Sequence, residues 1–505
     1  MRILDCTLRD GGYYTNWDFD SALVKSYCVA MNELPVEYIE IGYRQPAKNE
    51  YMGEYAYLPV STIQQCKQYA PEKKLAVMLN LKDVDEKSAL ALVTPLKKHV
   101  SLIRFATAPK DIEKAACVAA VVKQNGFQVS VNVMYMSTWN EVPEFWEALA
   151  KLNGIADLLC MVDSYGAVYP NEIKQIVERV KSCLNVPIGF HGHDNLSLAF
   201  ANTLAAIDAG CEIVDATIMG MGRGAGNLKT ELLLTYLAKS DSNINLNHVV
   251  ELRNWFEPLH EEYHWGTNMP YMISGVNSLP QKEIMAMLSQ RRYSIASIVR
   301  KLQNRLKKQS KQSYKPLVQE PSDKPVLFIG GGASVAKHID KIVDFLHIYD
   351  DIPVCFLSAK HLSLFDDINN PRYFCMIGNE GARVEAQMQH IKQSDKFVVS
   401  KHGNAEAYIP GALQAHTFVI AMSEERSDAP LALAIEIVRF ISSKKHIMLV
   451  GLDGYSSSKR EDVYDMMREN QDLFDAYKNE FRFQSLLPTE YKNIQKGSIY
   501  SELAK

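Results

Sequence analysis

Two segments far apart in the chain carry residues whose types and spacing suit chemistry on a metal ion. Arg9 and Asp10 stand side by side near the start, and His191 and His193 stand two residues apart after a short apolar run. Side chains at i and i+2 of a strand share one face, so both imidazoles can point at one ion. Two ring nitrogens and a carboxylate oxygen suit a divalent metal with open positions for substrate and water. Arg9 adds a fixed cation for a developing oxyanion.

These residues can meet only if the fold joins the two segments, and the apolar pattern predicts such a fold. Eight apolar, β-branched runs alternate with amphipathic stretches over about 220 residues, which is typical of a (β/α)8 barrel. We expect strands at residues 2–6, 36–42, 74–79, 101–106, 128–133, 157–162, 187–191 and 212–218, and helices that include 21–32, 113–124 and 171–183.

The predicted barrel would place the candidate residues at one mouth. Reactive residues of such barrels lie where strands end and loops begin. Asp10 follows the first predicted strand, and the two histidines close the seventh. Strands one, seven and eight adjoin in a closed barrel, so the three ligands can converge. Taken alone, His191-Gly192-His193 is also compatible with two ordinary loop histidines, and the Arg9-Asp10 pair on a neighbouring strand favours the metal site.

Three motifs, LDCTLRDGG at 4–12, HGHDN at 191–195 and GMGRGAGN at 220–227, resemble the metal-dependent lyase barrels of the HMG-CoA lyase-like family. The segment WGTNMPYMISG at 265–275 is similar to the post-barrel segment of that family's 4-hydroxy-2-oxovalerate aldolase branch. The resemblance covers about residues 1–300, and its motifs are specific together and weak apart. It implies Mn²⁺ or Mg²⁺ bound by Asp10, His191 and His193, a pyruvate enolate steadied by Arg9, and Asn227 at or near the metal.

One position departs from the aldolase pattern. That branch usually carries a proton-transferring histidine three residues after the metal aspartate, where this chain has Tyr13, followed by Tyr14. A phenol with an ordinary pKa of about 10 is a poor base at neutral pH unless a cation lowers that pKa. Tyr13 could instead donate a proton or position the substrate, with a metal-held hydroxide as the base, or it could simply pack over the barrel mouth. We therefore expect a substrate other than 4-hydroxy-2-oxovalerate.

Polar residues at other predicted strand ends form a second group of candidates, each as compatible with a satisfied polar group of the barrel interior as with substrate binding. A Schiff-base aldolase would need a desolvated lysine on a strand, and predicted strands four to eight contain none. We single out Arg44, Asp163 and Ser164 for substrate binding, ahead of Glu40, Tyr43, Arg104, Asn132, Tyr135, Tyr165 and Gly166.

Composition agrees with a cytoplasmic enzyme of several domains. A chain of 505 residues is too long for one core, and a formal net charge of −4 suggests no nucleic-acid partner. The nine cysteines form no CxxC pair and are interpreted as buried free thiols of a reducing compartment. The first predicted strand starts at residue 2 and no apolar run approaches about 18 residues, so we expect neither a signal peptide nor a membrane partner.

Basic residues and prolines mark a domain boundary near 300–324. The basic run favours a solvated helix leading into a linker, with an anion-binding surface as the alternative. We predict a barrel at 1–240, a helical appendage at 241–310, a linker at 311–324 and a Rossmann-like α/β domain at 325–505. The family resemblance implies that the appendage packs on the barrel and contributes to a homodimer.

The segment from 325 onward begins again with a buried strand and glycines. Further short apolar runs at 354–357, 374–377, 397–400, 418–421 and 447–451 predict a doubly wound parallel sheet. Backbone amides between a strand and a helix can hold phosphate, although a tight structural turn explains the same glycines, and the full dinucleotide fingerprint is missing. Residues 449–455 and 487–489 faintly resemble Rossmann-like domains found with surface-glycan enzymes. The candidate phosphate loop consists of Gly330, Gly331, Gly332 and Ser334.

Together these features predict a divalent-metal aldolase-type lyase that makes or cleaves a carbon–carbon bond beside a 2-oxo acid, with pyruvate enolate chemistry and an aldehyde partner. Substrates in view are 4-hydroxy-2-oxo acids, sugar acids included. A Claisen-type condensation with an acyl-CoA on the same barrel is the enzymatic alternative. A bifunctional surface-glycan protein, whose C-terminal domain carries a second activity, is the alternative from another class.

Overall fold

The computed structural model describes residues 1–289, 294–306, 313–401, 407–422, 429–454 and 461–505. These residues form two compact units, Met1–Met285 and Ala286–Lys505. Residues 307–312, which contain the start of the predicted linker and much of its basic run, lie outside the described residues, as does Tyr455. Among the described helices, none combines the length and the apolar character that crossing a bilayer requires.

The first unit is a closed barrel of eight parallel strands in chain order, so the predicted barrel is confirmed. It closes where β1 pairs with β8, with Leu4 opposite Asp215. The predicted strand ends lie within two residues of the observed ones. The strands are β1 (Arg2–Asp5), β2 (Tyr38–Tyr43), β3 (Lys74–Asn80), β4 (Leu102–Thr107), β5 (Gln128–Val133), β6 (Leu158–Asp163), β7 (Ile188–Gly192) and β8 (Ile213–Ala216).

The barrel strands are buried on both faces, which explains their almost continuous apolar runs. All six residues of β2 are buried, for example. A small cluster that includes Leu4, Leu102 and Leu158 is separate from the large core that the remaining strand residues share with the helices. The barrel is therefore a packed scaffold whose side chains leave room for chemistry only at the strand ends.

Helices follow the strands. The Asp20 side chain begins α2 by accepting hydrogen bonds from the backbone N–H groups of Ala22 and Leu23. In α11, Val249, Leu252 and Phe256 are buried and belong to the barrel core. The helices of this unit are α1 (Thr7–Thr15), α2 (Ser21–Glu33), α3 (Glu54–Tyr57), α4 (Val60–Tyr69), α5 (Glu86–Val93), α6 (Ile112–Gln124), α7 (Phe145–Ala150), α8 (Pro170–Cys183), α9 (Ala199–Asp208), α10 (Thr230–Leu237), α11 (Asn247–Tyr263), α12 (Met269–Val276) and α13 (Gln281–Ser289), whose last residues lie past the unit boundary.

The second unit is built on a nine-stranded, all-parallel sheet in the order β17-β16-β15-β10-β11-β12-β13-β14-β9. The sequence predicts the six central strands and misses β9, β16 and β17. Two of these are exposed two-residue edge strands without an apolar run to detect them. The strands are β9 (Lys315–Pro316), β10 (Val326–Ile329), β11 (Val354–Phe356), β12 (Arg372–Cys375), β13 (Lys396–Ser400), β14 (Thr417–Ile420), β15 (His446–Val450), β16 (Arg482–Ser485) and β17 (Gln495–Lys496).

Both faces of this sheet are covered. Val326 and Phe328 of β10 belong to one apolar cluster, and the alternate residues Leu327 and Ile329 belong to another. The helices of this unit are α14 (Ile295–Leu306), α15 (Ala333–Lys337), α16 (Ile339–Ile348), α17 (Glu380–Glu385), α18 (Pro430–Ile441), α19 (Glu461–Tyr477) and α20 (Ile499–Leu503).

All nine cysteines are free. Cys6, Cys160 and Cys211, which the sequence places in apolar strands, are buried, whereas Cys117 is exposed on α6 and Cys183 is half-buried. The expectation of buried thiols is therefore wrong for Cys117. Its position on the outer side of an amphipathic helix is the reason.

The end of the predicted appendage can be tested with fragments, since α14 contacts α17 of the second unit and Arg300 pairs with Glu385 at 3.0 Å. We expect the free energy of unfolding of a 294–505 fragment to exceed that of a 313–505 fragment by about 2–4 kcal/mol. The shorter fragment lacks α14 and therefore the buried side chains of Ile298 and Leu302. Chemical denaturation followed by circular dichroism measures the difference. Equal stabilities, together with a 1–310 fragment more stable than 1–289, would favour the boundary at 310.

Candidate active site

Asp5, at the end of β1, holds the start of α1 in place. Its buried carboxylate accepts hydrogen bonds from the Thr7 N–H at 2.9 Å, the Tyr27 hydroxyl at 2.6 Å and the Thr230 hydroxyl at 2.6 Å. Burial raises the pKa of Asp5, and these donors act against that rise. The carboxylate thus ties β1 to α2 and α10, and α1 starts two residues later in a fixed direction.

Helix α1 places Arg9 and Asp10 side by side at the barrel mouth. The Arg9 guanidinium contacts the Asp10 carboxylate, and its Nε donates to Glu40 Oε2 at 2.7 Å. Asp10 also accepts a hydrogen bond from Asn227 Nδ2 at 2.6 Å and is only 2% exposed. Burial opposes ionisation of Asp10, but Arg9, the two histidines and Asn227 outweigh it and lower the pKa, so Asp10 is a carboxylate at neutral pH.

The two histidines converge with Asp10. His191 Nε2 lies 3.5 Å from Asp10 Oδ2, and the His191 and His193 ring centroids are 5.1 Å apart. Burial lowers the pKa of His193 to about 3, with His191 and Arg223 adding to the effect. Because His193 is neutral over the physiological range, a ring nitrogen lone pair is available for a metal.

The glycine-rich loop after β8 brings Asn227 to this cluster. Gly224 and Gly226 have φ of +69° and +77°, a region that L side chains rarely adopt. At Gly222 a Cβ would approach the Asn227 side chain to 2.5 Å. Asn227 also pairs with His193 in an isolated antiparallel bridge. The loop's glycines are therefore needed for Asn227 to stand between Asp10 and His193.

A buried ion network lies beneath the cluster. Arg104 is completely buried and donates to Asp215 Oδ2 at 2.6 Å and to Glu40 Oε2 at 3.2 Å. Asp215 Oδ2 lies 2.9 Å from His191 Nδ1. Burial opposes ionisation of Asp215, but Arg104 and His191 lower its pKa to about 2. With a carboxylate at Nδ1, His191 carries its proton there and presents the Nε2 lone pair to the side where Asp10 lies.

Unpartnered buried atoms test whether a metal fits. Among the described residues, His193 Nδ1 and Asn227 Oδ1 are buried without a hydrogen-bond partner, and buried polar atoms rarely remain so. Both are metal-ligating atom types, and they adjoin the Asp10 carboxylate and His191 Nε2. Two nitrogens and two kinds of oxygen fit a divalent cation such as Mn²⁺ or Mg²⁺ better than a soft metal.

A second ligand combination is also present. Possible ligand atoms of Cys6, His191 and Asp215 lie within 4.8 Å of one another. Burial raises the pKa of the Cys6 thiol well above its usual value, which keeps it protonated, and Asp215 is already neutralised by Arg104. These properties favour a role for Cys6 and Asp215 in positioning His191, with the ion on the Asp10 side.

The cluster opens into a cavity of about 670 Å³ at the carboxyl ends of the strands. Its lining includes both predicted catalytic residues, all three predicted metal ligands and Ser164. Tyr13 Oη lies 3.0 Å from Tyr43 Oη. The Arg223 guanidinium lies 5.2 Å from the centre of the Tyr13 ring, with a buried Nε that has no partner among the described residues. Tyr13 thus faces the site from within a group of aromatic and cationic side chains.

Arg44, Asp163 and Ser164 are separated by the structure. Of these three residues, Ser164 alone is part of the described cavity lining. Its Oγ accepts a hydrogen bond from the Tyr135 N–H at 2.9 Å. Arg44 donates to the Tyr57 and Leu58 carbonyls at 2.7 and 2.9 Å. Asp163 accepts from the Ala167 and Val168 N–H groups, and burial raises its pKa to about 7. Both hold loops in place.

The candidate phosphate loop of the second unit is already hydrogen-bonded. Ser334 donates to the Asp453 carboxylate through its N–H at 2.9 Å and through its hydroxyl. The Gly332 N–H donates to the Gly451 carbonyl at 2.9 Å. These residues lie where β10 and β15 adjoin and the strand order reverses, beside a crevice of about 360 Å³. A phosphate at Ser334 would have to displace Asp453, and its binding stays a prediction.

Sequence reasoning missed Asp215 and Arg223. Asp215 is a carboxylate inside a buried apolar strand. A buried charge without an oppositely charged neighbour in sequence indicates an ion-pair partner from another part of the chain. Arg223 stands within a glycine motif whose other members drew attention first. Glu40 and Arg104 were recognised only as general candidates, since their pairing across the barrel depends on register.

The fold and the site define the chain as a (β/α)8-barrel protein with a polar cluster at the mouth. A model of the HMGL-like family matches residues 1–255. A 4-hydroxy-2-oxovalerate aldolase from Thermomicrobium roseum is 31% identical over 250 residues, 49% of this chain and 69% of its own length. The one from Pelotomaculum thermopropionicum is 29% identical over 261 residues, 51% of this chain and 77% of its own length.

Two further proteins extend the comparison. An oxaloacetate decarboxylase from Mycobacterium tuberculosis is 25% identical over 308 residues, 59% of this chain and 89% of its own. A crystal structure described as the N-terminal domain of a candidate aldolase from Bacteroides vulgatus is 50% identical, with a TM-score of 0.56, and covers 59% of this chain and 99% of that one. The chain belongs to the HMGL-like family, and the prediction of a lyase-type enzyme is confirmed.

The metal assignment can be tested by elemental analysis. We expect His191→Ala and Asp10→Asn to lose one equivalent of bound Mn²⁺ or Mg²⁺, since the first removes a ring nitrogen and the second the negative charge of the carboxylate. His99→Ala, at a histidine elsewhere on the barrel that contacts Gln64, should retain it. Cys6→Ala should also retain the ion. Loss of metal from Cys6→Ala with retention in Asp10→Asn would instead identify the Cys6, His191 and Asp215 set.

Proposed function

We propose that this protein is a divalent-metal aldolase that cleaves or forms the bond between the third and fourth carbons of a 4-hydroxy-2-oxo acid. In the cleavage direction the bond's electron pair passes to a pyruvate enolate, the hydroxyl proton goes to a base, and an aldehyde leaves. The observation that carries this proposal is the cluster of Asp10, His191, His193 and Asn227 beside the Arg9 cation at the mouth of an HMGL-like barrel.

Asp10, His191 and His193 would hold the ion, with Asn227 Oδ1 as a further ligand. A divalent cation would supply a Lewis acid for the carboxylate and keto oxygens of the 2-oxo acid and for the enolate charge. The ion pair of Arg104 and Asp215 holds the His191 ring in place through its Nδ1.

Arg9 would stabilise the enolate oxygen. Its Nε is held by Glu40 and it also contacts Asp10, so the planar guanidinium has a fixed orientation and lines the cavity. A donor that is fixed before reaction needs no reorganisation as charge develops, which makes its stabilisation specific for the transition state. Glu40 is thereby a positioning residue for Arg9.

The Tyr13 and Tyr43 hydroxyls form the proton-transfer pair of the proposal. Each hydroxyl can donate to one neighbour and accept from another, and they are 3.0 Å apart. Tyr13 stands three residues after Asp10, where the aldolase branch carries its histidine, and it lines the cavity with the Arg223 cation beside its ring. It would therefore take or return the proton of the substrate hydroxyl, with Tyr43 as its partner.

A coupled assay for pyruvate tests the reaction itself. Metal-loaded protein should release pyruvate from at least one member of a panel of 4-hydroxy-2-oxo acids, sugar-acid derivatives included. Oxaloacetate belongs in the panel because one relative is named an oxaloacetate decarboxylase. Pyruvate from oxaloacetate alone would identify a decarboxylase, and pyruvate from no substrate would refute the aldolase proposal.

Arg9→Ala separates transition-state stabilisation from binding. We expect kcat to fall by about 10²–10³, the usual loss for one oxyanion donor, with metal content unchanged. Steady-state kinetics with elemental analysis on the same sample provides the measurement. Arg179→Ala, which removes an exposed arginine at α8, should behave like the parent. A near-normal kcat for Arg9→Ala would remove this residue from the mechanism.

Tyr13→Phe tests the proton-transfer pair. The variant keeps the ring and its contacts with Trp17 and Arg223 but loses the hydroxyl, so kcat should fall by about 10² or more if that hydroxyl moves the proton. Tyr14→Phe, at the neighbouring phenol that donates to the Gly224 carbonyl, is the matched control. If Tyr13→Phe turns over like the parent, Tyr13 only packs.

A further inference from the structure

The cavity described above extends far beyond the metal-ligand cluster. Its other side is formed by residues after β2, β3 and β4 and by the start of α13, all within the first unit. At about 670 Å³ the cavity is within the range of 300–1,000 Å³ that holds ligands of many atoms. A three-carbon 2-oxo acid at the cluster would leave most of this space for the rest of the substrate.

This remote side is rich in lysine. Each of the loops after β2, β3 and β4 contributes one lysine, and α13 contributes a fourth. Asp83 and Asp111 stand among them, and Asp83 lies 3.8 Å from one lysine nitrogen. The four exposed lysines are Lys48, which makes that contact, Lys82, Lys110 and Lys282.

Positive charge exceeds negative charge in the cavity as a whole. With the histidines left aside, its described lining contains six cationic side chains, four of them these lysines, and three carboxylates. One carboxylate, Asp10, belongs to the metal-ligand cluster. A concave surface with an excess of one charge attracts and orients ligands of the other sign.

Arg223 is an independent indication that a ligand with hydrogen-bond acceptors enters this cavity. Its Nε is buried without a partner among the described residues, although the side chain lines the cavity. Arginine Nε donates only, so the missing partner is an acceptor. The guanidinium lies against the Tyr13 ring, so Arg223 lines the cavity beside the reacting end of the site.

We propose that the aldehyde partner carries a phosphate or a carboxylate at the end remote from its carbonyl carbon, bound by Lys82, Lys110 and Lys282, with Arg223 donating to the chain that connects both ends. This inference rests on the proposed function and specifies its substrate class. A neutral aldehyde would leave the excess positive charge on this side of the cavity unmatched. The reaction needs no further reagent, because the anionic group takes no part in bond making.

Matched pairs of aldehydes test the proposal on the full-length, metal-loaded enzyme. The pairs are glyceraldehyde 3-phosphate with glyceraldehyde, and succinate semialdehyde with butanal, each condensed with pyruvate. We expect kcat/KM to be at least about tenfold higher for the charged member of at least one pair, and the pair that shows this identifies phosphate or carboxylate. Equal values in both pairs would overturn the proposal.

Charge reversal on the remote side of the cavity provides a second test. In Lys82→Glu/Lys110→Glu, kcat/KM for the preferred charged aldehyde should fall about tenfold or more, with that for its neutral partner changed less than about twofold. The control, Lys87→Glu/Lys174→Glu, makes the same change of net charge at exposed lysines of α5 and α8 and should match the parent. Equal losses for charged and neutral aldehydes would contradict the assignment.

Failure of the proposed function gives a different result, in which no aldehyde of either kind is condensed. Calorimetric titration with glycerol 3-phosphate, succinate and glycerol then decides the inference alone. Binding of at least one of the two anions, with no binding of glycerol and a loss of about tenfold or more in affinity in Lys82→Glu/Lys110→Glu, supports the anion site. Absent binding of both anions, or affinities that the variant leaves unchanged, rejects it.

Discussion

The completely buried Arg104 is the residue on which the site depends. It joins Glu40 of β2 to Asp215 of β8 across the barrel interior, and these carboxylates hold Arg9 and His191. Removing one partner of a buried ion pair costs on the order of 3–5 kcal/mol, because the other charge remains uncompensated. The network therefore favours one arrangement, in which both Arg9 and His191 lie beside Asp10.

The barrel explains why residues so distant in sequence can act together. Asp10, His191 and Asn227 come from segments after β1, in β7 and after β8. β7 and β8 pair directly, and β1 reaches them only because the sheet closes. The rigid strands fix the start of each loop, and the Asp5 carboxylate fixes the first turn of α1. The candidate ligands are thus positioned by strands and helices of the barrel.

The sequence predicted the barrel and its strand ends because strands buried on both faces show as long apolar runs. It predicted that Asp10, His191 and His193 converge because strand order places those ends together. It did not predict which polar residues at the other strand ends face the cavity. Arg44 and Arg104 are both arginines of barrel strands or their ends, yet one binds loop carbonyls and the other an interior ion network. That difference depends on side-chain direction and register, which local pattern does not encode. The edge strands β9 and β17 escaped detection because they are short and exposed.

The distribution of charge in the cavity separates two tasks. At the cluster, the charge of Asp10 is matched by Arg9, and His193 is neutral, which leaves carboxylate, amide and ring nitrogen atoms for one cation. On the remote side of the cavity, lysines from three loops and α13 outnumber the carboxylates. Lysine tolerates such a place because its long stem keeps the ammonium in water until a ligand arrives. Under the proposed function, the cluster would therefore carry the carbon–carbon bond chemistry, and the loops after β2, β3 and β4 would select the aldehyde.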